Sequence, residues 1–91
     1  MHAVVGKVSI QAGREDDAQE FLKTNVLPMV KQAPGVLSGY WLAPQDGHGF
    51  GITFYESEEA ARGAAEMAKN GPLPDYVTFD SIEVREVIAQ I

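Results

Sequence analysis

The sequence predicts an α+β sandwich, in which a four-stranded antiparallel sheet carries two helices on one face. Short runs of apolar residues in alternating or continuous patterns are typical of strands, and they occur near both ends and in the middle of the chain. Between them lie two segments whose apolar residues recur at three- and four-residue spacing, as in amphipathic helices. The resulting order is β-α-β-β-α-β. Because both crossovers should be right-handed, both helices are expected on the same side of the sheet.

The first part of the chain contains one strand and one long helix. Residues 3–10 alternate as a strand. A helix is expected from about Arg14 to Ala33, because carboxylates fill its first turns and an apolar stripe follows. Pro28 cannot donate a hydrogen bond to the Thr24 carbonyl, so we expect a kink near Asn25.

The second part contains a hairpin, a helix and a last strand. Residues 36–43 and 48–55 are two apolar runs, and residues 44–47 between them predict a four-residue loop with an Asp-Gly turn signal. Ser57 is a good N-cap for a helix rich in alanine. A final strand is expected within residues 77–88. This element order is that of a ferredoxin-like fold.

Composition excludes several classes of function. The chain is 45% hydrophobic and 22% charged, which is the balance of a folded protein. It contains no cysteine, so disulfides, thiolate nucleophiles and iron–sulfur clusters are excluded. A net charge of −6 disfavours nucleic acid and anionic membranes, and no apolar run approaches the ~20 residues of a membrane span. We expect residues 1–91 to form one cytoplasmic domain that binds neither nucleic acid nor membrane.

The second face of the predicted sheet is more apolar than a monomer should expose. Alternation in the strand at 36–43 places one apolar set on one side and a second on the other: Val36, Tyr40 and Leu42, then Leu37 and Trp41. Four residues of other strands can join the second apolar face: Val5, Tyr55, Phe79 and Val87. Such a face usually marks a partner surface, so we expect a homodimer that buries it. The alternative is that the loop at 71–79 folds over it.

Aromatic residues are the main candidates for a binding site. Our candidates for binding a substrate are Tyr55, Trp41, Tyr40 and Phe54. They either pack the core and the dimer, or line a flat apolar pocket for a planar ring. His48 and Asn25 are the candidates for catalysis, since histidine can act as a general base near neutral pH. The simplest role of His48, just after the hairpin turn, is a solvated side chain.

No pattern in the sequence predicts a metal or a cofactor. Glu15, Asp16, Asp17 and Glu20 most simply complement the helix dipole. The glycine-rich residues 47–51 lie in a hairpin and do not precede a helix, so they fail the structural test for a phosphate loop. We therefore expect no metal site and no cofactor.

The junctions between these elements resemble those of the antibiotic biosynthesis monooxygenase-like family, a branch of the dimeric α/β-barrel superfamily. The resemblance rests on residues 12–15, Leu27-Pro28, residues 33–36 and residues 54–60. It implies two sheets packed face to face into a barrel, with the helices outside. Members of that family include cofactor-independent monooxygenases of polycyclic phenols, haem-degrading enzymes and many small proteins with no assigned reaction.

Few functional residues of that family match this sequence. The haem-degrading branch has an Asn on the first strand, a Trp at the end of the third and a His on the second helix. Here the first strand has no Asn, Tyr55 stands at the strand end, and residues 58–69 contain no His, so haem degradation is not expected. The side-chain types of the quinone-forming branch are present in Asn25, Trp41, Tyr40, Tyr55 and Arg62.

Two functions follow as hypotheses. The first is a small monooxygenase that oxidises a phenol or hydroquinone without a cofactor, because an electron-rich substrate needs only a base and a dry pocket to react with dioxygen. The second is a non-catalytic dimeric protein that binds a ligand or serves in a stress response.

Overall fold

The computed structural model describes residues 1–91 and confirms the predicted element order. The elements are β1 (His2–Ile10), α1 (Glu15–Phe21), a π-helical segment (Leu22–Val26), α2 (Leu27–Lys31), β2 (Val36–Gln45), β3 (His48–Tyr55), α3 (Glu58–Asn70) and β4 (Val77–Glu86). The strands form one antiparallel sheet in the order β2-β3-β1-β4. We call the sheet face beneath the helices the inner face, and the opposite face the outer face.

The kink expected near Asn25 is present as the π segment between α1 and α2. Pro28 has no N–H with which to continue the regular ladder. The N–H of Leu27 instead donates to the carbonyl of Leu22, five residues earlier. We call α1, the π segment and α2 together the kinked helix.

The hairpin differs from its prediction at the turn. Asp46 and Gly47 form a two-residue turn with φ values of 55° and 79°, and the predicted four-residue loop is wrong. A turn with positive φ at both central residues matches the twist of the flanking strands, so pairing continues up to it. Pro44 therefore belongs to β2, which accepts a proline because it is an edge strand.

A bulge in β2 decides which of its side chains face the helices. The register shifts between Val36 and Ser38, which leaves Leu37 as the extra residue. Val36 packs against the buried core and Trp41 lines the space under the helices, so both lie on the inner face. Tyr40 is 61% exposed on the outer face. Simple alternation predicts Val36 and Tyr40 on one face of the sheet and Trp41 on the other. That prediction is wrong, because the bulge at Leu37 reverses the alternation of the residues that follow it.

A second bulge, in β4, corrects the expected position of Phe79. The register between β1 and β4 shifts at Lys7/Val8, which leaves Asp80 as the extra residue. Phe79 consequently lies on the inner face, with its Cε1 3.5 Å from the position that a Cβ of Gly6 would occupy. Tyr55 is also on the inner face, where it is only 2% exposed. The expectation that these two aromatic residues join the outer face is therefore wrong.

The two helices pack differently against the sheet. Ser57 caps α3 as predicted, its Oγ accepting a hydrogen bond from the Ala60 N–H at 3.1 Å. Ala61 and Ala65 are buried, so α3 lies close to the inner face. The kinked helix has no buried residue within its three segments, and open space remains beneath it. None of the helices has the length and apolar character required to cross a bilayer.

The last strand lies within the range predicted for it. Strand β4 stops at Glu86, and the following Val87 N–H still bonds the Met1 carbonyl at 3.0 Å. Ile88, at the end of the predicted range, lies beyond the strand and is 92% exposed.

Candidate functional site

A cavity of about 580 Å³ lies between the inner face of the sheet and the helices. This volume falls within the roughly 300–1,000 Å³ of small-molecule sites. Most of its lining residues are apolar. Phe21, Leu22 and Val26 of the kinked helix contribute to one wall, and Met67 of α3 and Leu73 of the following loop contribute to another.

Trp41 lies flat on the sheet and forms part of the cavity floor. A Cβ built on Gly51 would stand 2.7 Å from Cδ1 and Nε1 of the indole, and one built on Gly39 would stand 2.9 and 3.0 Å from Cη2 and Cζ3. Opposite ends of the indole are thus both within contact distance of the sheet surface. Only residues without a Cβ leave room for this arrangement.

The neighbouring strands extend this floor across the sheet. Gly51 pairs with Trp41 on one side and with Gly6 on the other. Phe79 from the opposite edge strand lies over Gly6. The centre of the inner face is therefore a pair of glycines covered by two aromatic rings, one from each edge strand, and an apolar planar surface results.

Few polar groups line the cavity. Tyr55 is 2% exposed, and its hydroxyl makes no hydrogen bond within the protein, so it is free to bind a ligand atom. Asn25 on the π segment also lines the cavity, with its Oδ1 2.7 Å from the Thr24 hydroxyl. Lys23 of the same segment and Tyr55 are the titratable residues of the lining.

The structure separates the sequence-predicted site residues into two groups. Tyr55, Trp41 and Asn25 come together around the cavity. Tyr40 and Phe54 lie on the outer face, where their rings meet edge to face with centroids 6.5 Å apart. They share no cavity with Tyr55, because successive residues of a strand point to opposite faces.

His48 also lies on the outer face, in a small polar cluster that the sequence did not predict. The Ser9 hydroxyl is 2.8 and 2.7 Å from the two carboxylate oxygens of Asp80, and 3.3 Å from His48 Nδ1. The same Nδ1 is 3.3 Å from Asp80. The serine thus donates to the carboxylate, whereas a nucleophilic triad needs it to donate to the imidazole. This cluster has no nucleophilic geometry.

Phe79 and Lys23 are two cavity residues that the sequence pattern does not mark as site residues. Phe79 was assigned to the wrong face because the bulge at Asp80 reverses the alternation of β4. Lys23 carries no motif, and helical spacing alone places it beside the apolar stripe. The run of glycines at 47, 49 and 51 was the available signal for the floor, since glycine in a strand often marks a close approach.

Comparison with known proteins defines the fold. No protein-family model matches the chain, and no curated protein matches it. Among solved structures, the haem-degrading MhuD of Mycobacterium tuberculosis with two haems bound is 24% identical over 100% of this chain and 99% of that one, with a TM-score of 0.75. A candidate antibiotic biosynthesis monooxygenase from Deinococcus radiodurans is 18% identical over 100% and 96% of the two chains, with a TM-score of 0.69. The ActVA-Orf6 monooxygenase of Streptomyces coelicolor, in complex with nanaomycin D, is 18% identical over 99% and 89%, with a TM-score of 0.64.

These likenesses show that the chain has the fold of the antibiotic biosynthesis monooxygenase-like proteins. The resemblance of the junctions is thereby confirmed at the level of fold. Because a fold hosts many activities, the function has to be argued from the cavity itself.

Proposed function

We propose that the protein is a monooxygenase-like protein that binds a planar aromatic molecule in the cavity and oxidises a phenol or hydroquinone without a cofactor. The observation that carries this proposal is the cavity floor, where Trp41 and Phe79 lie over the glycines of the central strands. A flat ligand stacked parallel to the sheet would contact both rings. The Tyr55 hydroxyl would supply a hydrogen bond to a ligand oxygen at the cavity wall.

The proposed reaction needs little from the protein. A deprotonated phenol or hydroquinone passes an electron to dioxygen, and recombination forms a C–O bond that, with return of the phenolic proton, gives a ring hydroperoxide. Its O–O bond then breaks with loss of the hydrogen on the same ring carbon, which releases water and leaves a quinone. The apolar lining keeps bulk water from the reacting ring, which protects the intermediates. Tyr55 and Asn25 would orient the substrate through hydrogen bonds. Two structural neighbours of similar fold are monooxygenases by name, which is consistent with this chemistry.

A specific observation favours a second candidate function. The cavity lining contains no carboxylate and no imidazole that could act as a general base. A protein that binds an aromatic ligand in the same place without transforming it would need only the floor and the Tyr55 hydroxyl. This is the non-catalytic alternative, and the experiment below separates it from the enzyme.

Haem is a second possible class of ligand, because the structurally similar MhuD binds it. The residues of this cavity do not fit a haem held by imidazole. His48 lies on the outer face, His2 does not line the cavity, and α3 contains no histidine. The proposed reaction therefore does not involve haem.

We further propose that a second copy of the chain covers the outer face, giving a cytoplasmic homodimer. Tyr40 is 61% and Leu42 53% exposed on this face, beside Phe54. Residues 71–73 line the inner cavity, so the loop that was the alternative cover lies on the other side of the sheet. A contiguous apolar sheet face of this kind is typical of a subunit contact.

The proposed activity is tested with an oxygen electrode and calorimetry. We expect anthrone or a hydroquinone to bind, to shift the indole N–H resonance of the single tryptophan, and to consume oxygen. Tyr55→Phe should weaken binding by about 1 kcal/mol, the usual value of one hydrogen bond, without lowering stability, because the hydroxyl has no partner in the protein. Tyr40→Phe, the same change on the outer face, is the matched control and should alter neither ligand binding nor stability.

The outcomes separate the two functions. Binding with oxygen uptake supports the monooxygenase. Binding without oxygen uptake contradicts it and supports the non-catalytic protein. The absence of any shift at Trp41 with every aromatic compound tested would exclude both, since both require a ligand on the cavity floor.

A further inference from the structure

We propose that the cavity selects an anionic aromatic ligand, with the negative charge placed beside Lys23 and the ring system on the floor. This inference rests on the proposed function, because it assigns a charge to the ligand of the same cavity. It extends that function by naming a substrate class, an aromatic carboxylate or phenolate, and by making Lys23 the residue that selects it.

The charge of the cavity lining is opposite to that of the protein. The chain has 13 acidic and 7 basic residues, and its net charge is −6. No acidic residue lines the cavity, and Lys23 is the one charged residue that does. Lys23 is therefore the only charged residue that the cavity lining offers to a ligand, on a protein whose net charge is −6. An anion is the ligand that such a lining stabilises.

Lys23 is also free to bind an anion. The ion pairs of the structure use Arg14, His48, Arg62 and Arg85, and none includes Lys23. Its ammonium group is not committed to a carboxylate of the protein. An incoming anion therefore does not have to displace a partner within the protein.

The position of Lys23 matches a ligand with separate charged and apolar parts. Lys23 lies on the exposed π segment, whereas Tyr55 is buried at the sheet and Trp41 forms the floor. A fused-ring ligand would lie over Trp41 with its apolar body inside. Its anionic group would stay at the cavity rim near Lys23, where it keeps part of its hydration.

A pair of probes that differ in charge tests this inference. Naphthoate and naphthamide have nearly the same shape, but only the first is an anion at neutral pH. We expect naphthoate to bind the wild type more tightly than naphthamide does. Lys23→Gln should weaken naphthoate about threefold to fivefold, the scale of one partly exposed charge pair, and leave naphthamide unchanged. High salt should reduce naphthoate binding in the wild type and have little effect in the variant.

Lys31→Gln provides the matched control. Lys31 lies on the same kinked helix and is exposed, but it does not line the cavity. This change alters the net charge equally and should leave both affinities unaltered. An equal loss of naphthoate binding in both lysine variants would overturn the assignment and indicate a general charge effect. Equal binding of the two probes to the wild type, insensitive to Lys23→Gln, would overturn the charge selection but leave aromatic binding intact. Failure of both probes to bind would contradict the proposed function and this inference together.

Discussion

Replacing Gly51 with alanine tests whether the flat position of Trp41 depends on the absence of a side chain beneath it. The new Cβ would stand 2.7 Å from Cδ1 and Nε1 of the indole. Ordinary contacts begin at 3.4 Å, so the edge of the ring must retreat by about 0.7 Å. The cavity lies above the indole, and the ring can only move into it.

The expected magnitude follows from two opposing effects. Overpacking in a protein interior typically destabilises by about 1–3 kcal/mol. Alanine in a strand recovers about 0.5–1 kcal/mol relative to glycine, because the unfolded chain loses freedom. We therefore expect Gly51→Ala to lower the free energy of unfolding by about 1 kcal/mol, within a range of roughly 0–2.5 kcal/mol. The raised indole should also weaken binding of a planar ligand, because the ring then occupies part of the space above the floor.

Urea unfolding followed by far-ultraviolet circular dichroism measures the stability, and the emission of the single tryptophan reports its surroundings. We expect a shifted emission maximum in Gly51→Ala. In a second background, Trp41→Val, the same alanine should be neutral or stabilising, because the colliding ring is gone. A coupling of this kind between two residues is what a double-mutant cycle isolates.

Gly63→Ala serves as the control for glycine replacement in general. Gly63 is exposed on α3, and a Cβ there meets no atom within 4 Å. The change should stabilise the protein by about 0.5–1 kcal/mol through helix propensity. If Gly51→Ala behaved like Gly63→Ala, with unchanged emission and ligand binding, the reasoning about the cavity floor would be refuted.

Three further predictions concern the cap, the outer face and an exposed ion pair. Ser57→Ala should lower the free energy of unfolding by about 1 kcal/mol in urea titration, because the first turn of α3 loses its hydrogen bond; an unchanged midpoint would contradict the cap. Tyr40→Asp should convert a dimer into a species of 9.9 kDa by light scattering, and a persistent dimer would place the contact elsewhere. A hydrogen bond from Arg62 lowers the pKa of Glu58, so Arg62→Gln should raise that pKa in an NMR titration. A carboxyl group whose pKa is lower in the folded than in the unfolded state stabilises the fold above its unfolded pKa, and this stabilisation is lost in acid. The two proteins should therefore differ in stability near neutral pH and converge as pH falls through the folded pKa of Glu58.

The order of elements could be predicted from the sequence because each boundary has a local cause. Pro28 perturbs the helix whatever it packs against, and Ser57 caps its own helix from three residues away. Asp46-Gly47 determines a turn by its own backbone preferences, although the exact loop length was missed. Such features involve residues that are neighbours in the chain, so no tertiary information is required.

The faces of the edge strands could not be predicted in the same way. The bulges at Leu37 and Asp80 appear only when each edge strand is paired with its neighbour. Each bulge reverses the alternation beyond it, which moved Trp41 and Phe79 to the inner face. The site was therefore predicted in part: Tyr55, Trp41 and Asn25 were among the candidates and line the cavity, whereas Phe79 and Lys23 were not selected.

The bulge at Leu37 has a consequence for how β2 tolerates change in its length. From Ser38 to Trp41, odd positions face the cavity and even positions face the opposite side of the sheet. Val36 and Ser38 pair with Tyr55 and Phe54, which are consecutive in β3, so Leu37 has no partner of its own in the ladder. Removing Leu37 would therefore leave Val36 and Trp41 on the inner face and Tyr40 on the outer face, in a regular strand without the bulge. We expect position 37 to be the place where β2 can lose a residue without exchanging its two surfaces.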